Sequence, residues 1–157
     1  MSRYCFPLNG NEAEPAITGF NNVMLAYRKT LPNIEFLGEP LFAPVLEKFK
    51  DYVVTANDSP AGAEAYKVLV LLTSGSINDM TETKNLLVEL STYPCSVIII
   101  GVGKADFSGM EELDGDNVLL CNEEGKPVER DIVQFVAFNE AMKWGNLEEL
   151  VLKEIPD

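Results

Sequence analysis

YKVLVLL, residues 66–72, and SVIIIGV, residues 96–102, are the two stretches that decide the fold class of this chain. Each is apolar almost throughout, which is typical of parallel β-strands that are covered on both faces. The residues between them include Leu86, Leu87 and Leu90, which share one face of a helix. This strand–helix–strand order predicts an α/β domain with a mostly parallel sheet flanked by helices.

The flanking segments continue the alternation. Upstream, the sequence predicts a helix over residues 14–31 that Pro32 stops, and a second helix that buries an apolar face between residues 42 and 53. Downstream it predicts, in order, a short helix at 110–113, a minor strand at 118–120, a third strand at 132–136 and a closing helix at 147–155. Residues 3–9 (RYCFPLN) predict a short strand, which Pro7 confines to a sheet edge because proline has no N–H to donate.

Composition excludes several classes of function. The chain has 157 residues, a length that fits a single domain over residues 1–157. It carries 12 Lys and Arg against 25 Asp and Glu, a formal net charge of −13, so nucleic-acid phosphates and anionic bilayers would repel it. It has no histidine, which excludes Ser-His-Asp catalysis, His-ligated zinc and an imidazole pH switch. We therefore expect no nucleic-acid partner.

The cysteines and the hydropathy pattern indicate the compartment. Cys5, Cys95 and Cys121 are far apart and form no C-x-x-C pair, so we expect reduced thiols that pack as small apolar groups. No apolar run approaches the roughly 18 residues that indicate a membrane span, and no signal peptide is recognisable. We therefore expect a cytoplasmic protein.

Short cofactor motifs fail at defining positions. Gly101 and Gly103 begin a dinucleotide-binding pattern, but Asp106 stands where its third glycine belongs, and a carboxylate there would repel a pyrophosphate. A phosphate-binding loop of the Walker A type would need Ser or Thr after Gly103-Lys104, and the chain has Ala105. We therefore expect no nucleotide cofactor.

Paired carboxylates are the remaining candidates for catalysis. Glu111 and Glu112, or Asp114 and Asp116, are close enough in sequence to act as a general acid and a general base. In so acidic a chain, a solvated acidic loop explains them better. Since no residue stands out as a nucleophile, we expect the protein not to be an enzyme.

Longer strings carry a resemblance to a known family. GVGKADF at residues 101–107 and RDIVQFV at residues 130–136 have an order and spacing far more specific than a short motif. The resemblance extends to ITGFNNVMLAYRK at 17–29, GEPLFAP at 38–44, LLTSGSINDM at 71–80 and EIP at 154–156. Over nearly its whole length the chain resembles the copines, and it matches the later two-thirds of the copine von Willebrand factor A-type domain.

The resemblance implies a fold and a metal site. Such domains are doubly wound, Rossmann-like α/β folds with a metal-ion-dependent adhesion site at the carboxyl edge of the sheet. The site takes an Asp-x-Ser-x-Ser loop, a Thr from a second loop and an Asp from a third, an oxygen set suited to Mg²⁺. Here no Asp-x-Ser-x-Ser occurs, Pro40 falls at the Thr position and Ser74 at the Asp position. The resemblance therefore implies a degenerate metal site.

The loops of this edge remain candidates for binding. Ser76 and Asp79 keep side-chain oxygens, although the simpler role for Asp79 is to cap the following helix, with Glu82 three residues on. Asp106 is likewise predicted to cap a short helix. We expect a partner protein to contact the loops that carry Gly38, Pro40, Ser74, Gly75, Ser76, Asp79, Gly103 and Asp106.

These observations leave three hypotheses. The first is a non-enzymatic protein-interaction module of a copine-like protein, which would reach membranes only through calcium- and phospholipid-binding C2 domains that this chain lacks. The second is a ligand-binding domain that holds Mg²⁺ or Ca²⁺ weakly through Ser74, Ser76 and Asp79. The third is an enzyme that uses the paired carboxylates.

The resemblance also predicts an open sheet edge. In the family, the strand that bears Asp-x-Ser-x-Ser lies in the middle of the sheet, next to the counterpart of residues 66–72. Without that strand, residues 66–72 should have an unpaired apolar edge, for which residues 3–9 are a weak substitute. We therefore predict that the chain associates through this edge as a two-fold dimer.

Overall fold

The structure is a computed structural model that describes residues 4–35, 38–58, 66–116, 118–153 and 155. These residues belong to two compact units, Met1–Glu39 and Pro40–Asp157, and each is described by itself. The expectation of one domain over residues 1–157 stays a prediction. No helix in the described part of the chain is long and apolar enough to cross a membrane.

The described residues of the amino-terminal unit form one α-helix. α1 spans Phe20–Thr30, continues into a 3₁₀ turn at Leu31–Asn33, and has no buried residue. It ends beside Pro32 as predicted, but it begins later than the predicted start at residue 14. Gly19 accounts for this difference, because its φ of +83° and ψ of 137° lie outside the helical region, so a continuous helix cannot run through it from residue 14.

The predicted strand over residues 3–9 is wrong. Arg3 lies outside the described residues, and residues 4–9 form no strand. The backbone N–H of Gly10 donates to the carbonyl oxygen of Pro7 at 3.0 Å and closes a turn. Because Pro7 has no N–H to contribute to a ladder, this segment supports a turn better than an edge strand.

The carboxyl-terminal unit is an α/β layer built on a parallel sheet. Its strands are β1 (Lys67–Thr73), β2 (Cys95–Gly101) and β3 (Val133–Ala137), and over the described residues they form one sheet in the order β1-β2-β3. Both neighbouring pairs are parallel, with Leu69 opposite Val97 and Val97 opposite Val133. The helices are α2 (Ala43–Asp58), α3 (Met80–Leu90), α4 (Ser108–Asp114), α5 (Phe138–Trp144) and α6 (Leu147–Val151). The predicted fold class is confirmed.

One face of the sheet carries the main hydrophobic core. Three helices supply apolar side chains to it: Phe49 and Val53 from α2, Leu87 and Leu90 from α3, and Met110 and Leu113 from α4. These side chains pack with Val97 and Ile99 of β2 and Val133 of β3. The predicted apolar face of α2 is therefore confirmed, because Leu46, Phe49 and Val53 are all buried.

The two apolar stretches differ in how they are covered. Every described residue of β2 is buried except Ile100, which is half-buried, as expected for a strand with helices on both sides. In β1 the residues alternate, and Val68, Val70 and Leu72 are 41, 51 and 72 % exposed. The prediction that β1 is covered on both faces is therefore wrong, because β1 lies at an edge of the sheet and its second face is uncovered.

Two further predictions need correction downstream of β2. Residues 118–120 form no strand, and the nearby pairing is a single antiparallel bridge between Cys121 and Pro127. Helix α5 follows β3 without an intervening loop and was not predicted. Helix α6 is shorter than the predicted 147–155, and Glu154 lies outside the described residues.

At the amino end of the sheet, Arg130 joins neighbouring segments. One guanidinium nitrogen donates to the carbonyl oxygens of Tyr93, at 2.7 Å, and of Cys95, while the other donates to the Tyr66 hydroxyl at 3.2 Å. That hydroxyl also shares a 2.6 Å hydrogen bond with Ser96 Oγ. The side chain of Arg130 therefore links the residue before β1, the start of β2 and the segment that leads to β3.

The three thiols differ in their surroundings. Cys95 is buried, and burial raises the pKa of its thiol to about 11, against an opposing effect of the nearby Arg130 charge. Cys95 therefore packs as a small apolar group, as predicted. Cys5 is exposed and Cys121 is half-buried, so the expectation that all three thiols pack in the core is wrong for Cys5.

Candidate functional site

The carboxyl edge of the sheet brings two loops into contact. Because the strands are parallel, the loops that follow β1 and β2 leave the sheet on the same side. Gly75, in the loop after β1, is so close to the loop after β2 that a Cβ atom on it would lie 2.8 Å from the carbonyl oxygen of Asp106 and 3.0 Å from Cβ of Ala105. Its φ of +116° also favours glycine. The sequence-predicted residues 74–76 and 106 are therefore neighbours.

Asp79 caps a helix, but not the helix that was predicted. It stands at the N-terminus of α3, yet its side chain makes no hydrogen bond to that helix. Its carboxylate oxygens accept hydrogen bonds from the backbone N–H groups of Phe42, at 3.0 Å, and Ala43, at 2.7 Å. These donors open α2, which has no suitable side chain of its own at that point. Asp79 is 8 % exposed, so the pair of hydrogen bonds is shielded from water.

The loop that carries Pro40 lies beside the same segment. The carbonyl oxygen of Pro40 accepts a hydrogen bond from the backbone N–H of Asn78 at 3.2 Å. Together with the contacts of Asp79, this bond holds residues 40–43 against residues 78–79. Gly38 belongs to the amino-terminal unit, where a Cβ atom would lie 3.8 Å from the Tyr4 hydroxyl oxygen.

The side chains at this edge fit a divalent cation poorly. Pro40 has no side-chain oxygen, Ser74 and Ser76 offer only neutral, exposed hydroxyls, and the Asp79 carboxylate is engaged with two backbone donors. Mg²⁺ and Ca²⁺ prefer charged carboxylates in their coordination shell. Among the described residues, no three His, Cys, Asp or Glu side chains are grouped so that they could hold a metal ion.

Asp106 holds the start of α4. Its Oδ1 accepts a hydrogen bond from the backbone N–H of Ser108 at 3.0 Å, and its Oδ2 accepts one from the Ser108 hydroxyl at 3.1 Å. Ser108 is the first residue of α4. The carboxylate therefore satisfies an otherwise unpaired donor of that helix, as predicted, but from the residue before the N-cap position, which Phe107 occupies.

An open cleft lies at the ends of β2 and β3. Its volume is about 620 Å³, and it is lined by Gly103, Lys104, Ala105, Phe107, Ala137, Asn139, Glu140 and Lys143. The side chain of Asn139 in α5 donates to the carbonyl oxygen of Gly103 at 2.7 Å, which ties α5 to the loop after β2. Gly103 has a φ of +114°, a conformation that favours glycine, so the turn into the cleft depends on this residue.

The cleft presents two ammonium groups. The side chains of Lys104 and Lys143 are exposed, and neither has an ion-pair partner in the part of the chain that the structure describes. Lys50, Lys84 and Lys153 differ from them, because each pairs with a carboxylate. Glu140 contributes one carboxylate to the lining. The local charge of the cleft is therefore positive in a chain whose net charge is −13.

Asp114 is a carboxylate whose pKa is raised by its surroundings. Burial raises its pKa to about 6; a hydrogen bond from the backbone N–H of Phe135 opposes this shift, and the charges of Asp116 and Asp131 add to it. The hydrogen bond from Phe135 to Oδ1 is 2.6 Å long. It joins the end of α4 to β3, so the geometry gives Asp114 a structural position between two elements.

Sequence reasoning missed part of this edge. It selected Gly103 and Asp106 but not Lys104, Asn139 or Lys143, which complete the cleft. The available signal was the position of Lys104 two residues after the predicted strand over residues 96–102, since residues there reach the carboxyl edge. Lys143 gave no comparable signal, because α5 was not predicted.

Comparison with known protein families gives one match over almost the whole chain. The family model described as Copine matches residues 2–157. The matched range contains both parallel-strand stretches, the loops after them and the cleft with its two lysines.

Proposed function

The chain belongs to the copine family, and from this premise we propose that it is a non-enzymatic protein-interaction module whose carboxyl-edge loops contact a partner protein. The loops that carry Pro40, Gly75 and Asp106 are held by hydrogen bonds or by close packing. A surface that is ordered before binding loses less conformational entropy when a partner docks, which favours an interaction role.

The cleft at the ends of β2 and β3 is the observation that carries this proposal. Lys104 and Lys143 have no ion-pair partners among the described residues, so each ammonium group can bind a carboxylate without breaking an internal contact. We therefore expect a partner segment that presents carboxylates. The Phe107 and alanine side chains of the lining add apolar surface. We infer a partner that combines acidic and apolar side chains in one segment.

We also propose which parent protein carries this chain and how it relates to membranes. Copine membership supports a parent protein that binds phospholipid in a calcium-dependent manner through C2 domains outside this chain. In that setting the acidic chain would approach a membrane only indirectly, because its net charge of −13 is unfavourable beside anionic lipids. We propose a cytoplasmic protein that is peripheral to membranes.

Selection from a random peptide library displayed on phage tests the interaction role. We expect the 157-residue chain to select peptides enriched in Asp and Glu beside apolar residues. The selected peptides, once synthesised, should lose at least about tenfold in affinity for a Lys104→Ala/Lys143→Ala variant, which corresponds to about 1.4 kcal/mol. Isothermal titration calorimetry measures this loss.

A Lys126→Ala variant is the matched control. Lys126 is exposed and lies outside the cleft, so its removal changes the net charge without altering the lining. We expect it to bind the selected peptides as the unchanged chain does. Failure to enrich any peptide, or equal binding by the cleft variant and the control, would contradict the proposal.

Magnesium titration separates the proposal from a metal-dependent binder that uses Ser74 and Ser76. Saturation at a hundred times the dissociation constant would stabilise the fold by about 2.7 kcal/mol. For a domain of this size, that would raise the melting temperature by several degrees. We expect millimolar MgCl₂ to leave the melting temperature unchanged, and a rise that Ser74→Ala abolishes would favour the metal-dependent function.

A further inference from the structure

A second open cleft lies between α3, α4 and the segment that follows α4. Its volume is about 490 Å³, and we call it the α3–α4 cleft. Its lining consists of Lys84, Ser108, Glu111, Glu112, Val118, Leu119, Leu120 and Cys121. Among the described residues, it shares no lining residue with the cleft that carries Lys104 and Lys143. The two clefts can therefore bind different partner segments.

The apolar part of the α3–α4 cleft consists of two neighbouring side chains that face solvent. Val118 is 78 % exposed and Leu119 is 61 % exposed. The next residue, Leu120, is 5 % exposed and belongs to the main core. Covering the two exposed side chains with an apolar group of a partner removes their surface from water, which favours binding.

The segment that carries these two side chains is held in place by contacts on both sides of Leu119. The carbonyl oxygen of Leu120 accepts a hydrogen bond from the backbone N–H of Val128 at 3.0 Å. Gly115, at the C-terminus of α4, lies in contact with the same segment. A Cβ atom there would lie 3.6 Å from the backbone nitrogen of Leu120 and 3.7 Å from the carbonyl oxygen of Val118. Docking on this segment therefore costs little further ordering of its backbone.

The charged side chains of the α3–α4 cleft leave it negative. Lys84 of α3 pairs with Glu112 of α4, so these two charges offset each other. Glu111 also lines the cleft and has no ion-pair partner in the part of the chain that the structure describes. Glu123 lies nearby, because its Oε1 accepts a 3.3 Å hydrogen bond from the neutral side chain of Asn85. The sign of the local charge is thus opposite to that of the cleft with the two lysines.

We propose that the α3–α4 cleft is a second protein-docking site, which binds a partner segment that combines a large apolar side chain with Lys or Arg. The apolar side chain covers Val118 and Leu119, and the cationic group binds the carboxylate of Glu111. The net charge of −13 attracts a basic partner and repels an acidic one. The inference goes beyond the proposed function, which concerns the carboxyl-edge loops and a partner segment of the opposite charge.

The cation of the partner does not have to displace Lys84. Since Glu112 is paired and Glu111 is not, a guanidinium or ammonium group can bind Glu111 without breaking the ion pair that joins α3 to α4. Glu111 is exposed, so its attraction for a cation is screened by salt. Binding should therefore weaken as NaCl rises from 50 to 500 mM.

Peptide selection tests the site in a chain whose other cleft has lost its lysines. The bait is the 157-residue chain with Lys104→Ala/Lys143→Ala, which removes peptides selected through those lysines. We expect random peptides displayed on phage to become enriched in Lys or Arg next to Leu, Phe or Trp. Enrichment of acidic peptides, or no enrichment at all, contradicts the proposal.

Two leucine variants of the bait form a matched pair. Leu119 and Leu152 are 61 and 55 % exposed, but Leu152 lies outside the cleft, at the C-terminus of α6. In isothermal titration calorimetry, the selected peptides should bind Leu119→Ser at least about fivefold more weakly and Leu152→Ser as tightly as the bait. Glu111→Gln should also weaken binding and reduce its dependence on NaCl. Equal affinity for the two leucine variants would overturn the proposal.

Alkylation of Cys121 reports whether the peptide lies in the cleft. Cys121 is part of the lining, and in a Cys5→Ser background the other thiol, Cys95, is buried with a pKa of about 11. A selected peptide without cysteine should slow the reaction of Cys121 with N-ethylmaleimide about tenfold at nine times its Kd, because only the unbound chain reacts. An unchanged rate would place the peptide elsewhere and contradict the proposal.

The two proposals fail separately. The bait lacks both lysines, so its results do not change if the wild-type chain binds no acidic peptide. Conversely, Leu119→Ser in the wild-type background leaves Lys104 and Lys143 in place, so acidic peptides should bind that variant as they bind the wild-type chain.

Discussion

At the amino end of the sheet the positive charge of Arg130 is bonded to Tyr66, Tyr93 and Cys95, whereas at the carboxyl end Lys104 and Lys143 have no ion-pair partner among the described residues. The guanidinium at the amino end holds neighbouring segments together through directional bonds. The ammonium groups at the carboxyl end line an open cleft. Cationic side chains thus have a structural role at one end and remain accessible at the other.

The contrast shows how a small parallel sheet separates stability from binding. Polar groups that bond to one another fix the strands, and a change there alters the whole fold. Polar groups without internal partners can be changed with little effect on folding, and they can bond to something else. The carboxyl end is not free of structural roles, however, because Asp79 there holds the start of α2.

Arg130→Ala should have the largest effect on stability. It removes several hydrogen bonds from a charged donor, and such bonds contribute about 1.5–3 kcal/mol each, so we expect a loss of at least about 3 kcal/mol. Urea denaturation followed by circular dichroism measures it. Lys126→Ala is the control and should change the free energy of unfolding by less than about 0.5 kcal/mol. If Arg130→Ala lowered the free energy of unfolding as little as Lys126→Ala does, Arg130 would not be structural, and the two ends of the sheet would not differ in this respect.

Asp79→Ala should have the next largest effect. The change leaves the N–H groups of Phe42 and Ala43 buried without their acceptor, and we expect a loss of about 2–3 kcal/mol. Asp79→Asn keeps one acceptor oxygen and should lose less. If both variants matched the wild-type chain in urea denaturation, the carboxylate would be free for a ligand, and the structural role at this end would be wrong.

Asp114→Asn should make stability less dependent on pH. The pKa of Asp114 is raised to about 6 in the folded chain, against about 3.9 in an unfolded one, so the folded state prefers the protonated form. Its contribution to stability is full below about pH 4 and is lost as pH rises through about 6. The asparagine variant cannot ionise, so the wild-type chain should gain melting temperature relative to it between pH 7.5 and pH 5. Parallel melting curves across this range would contradict the shift.

Lys104→Ala/Lys143→Ala should have the smallest effect on stability. Both side chains are exposed and have no ion-pair partner within the described residues, so we expect the free energy of unfolding to change by less than about 0.5 kcal/mol. The same urea denaturation measures it. A loss above about 1 kcal/mol would show that these lysines are structural, as Arg130 is.

The sequence was sufficient for the strands but not for how they are covered. Residues 66–72 and 96–102 are equally apolar, and the strands formed there begin and end within one residue of the prediction. The sequence of an apolar strand does not show whether helices pack on one of its faces or on both, because those helices come from other segments of the chain. The exposed face of β1 therefore had no signal of its own.

Two features of the site show the same limit. The position of Asp79 before a helix predicted a capping carboxylate, but the choice between α3 and α2 depends on how the two helices approach each other in the folded unit. Lys104 and Lys143 are distant in sequence, and they share a cleft only because β2 and β3 are parallel neighbours. Local chemistry was thus predictable, and long-range placement was not.

The order of the strands has a consequence for how the chain folds during synthesis. β1, β2 and β3 occupy the sheet in chain order, so each new strand is added beside the one before it. Once Gly101 has left the ribosome, β1, α3 and β2 can already pair and bury Leu87 and Leu90, before β3 has been translated. Among the strands of the described residues, none has to be inserted between two earlier ones, which keeps the sequence separation of contacting residues short and favours fast, stepwise folding.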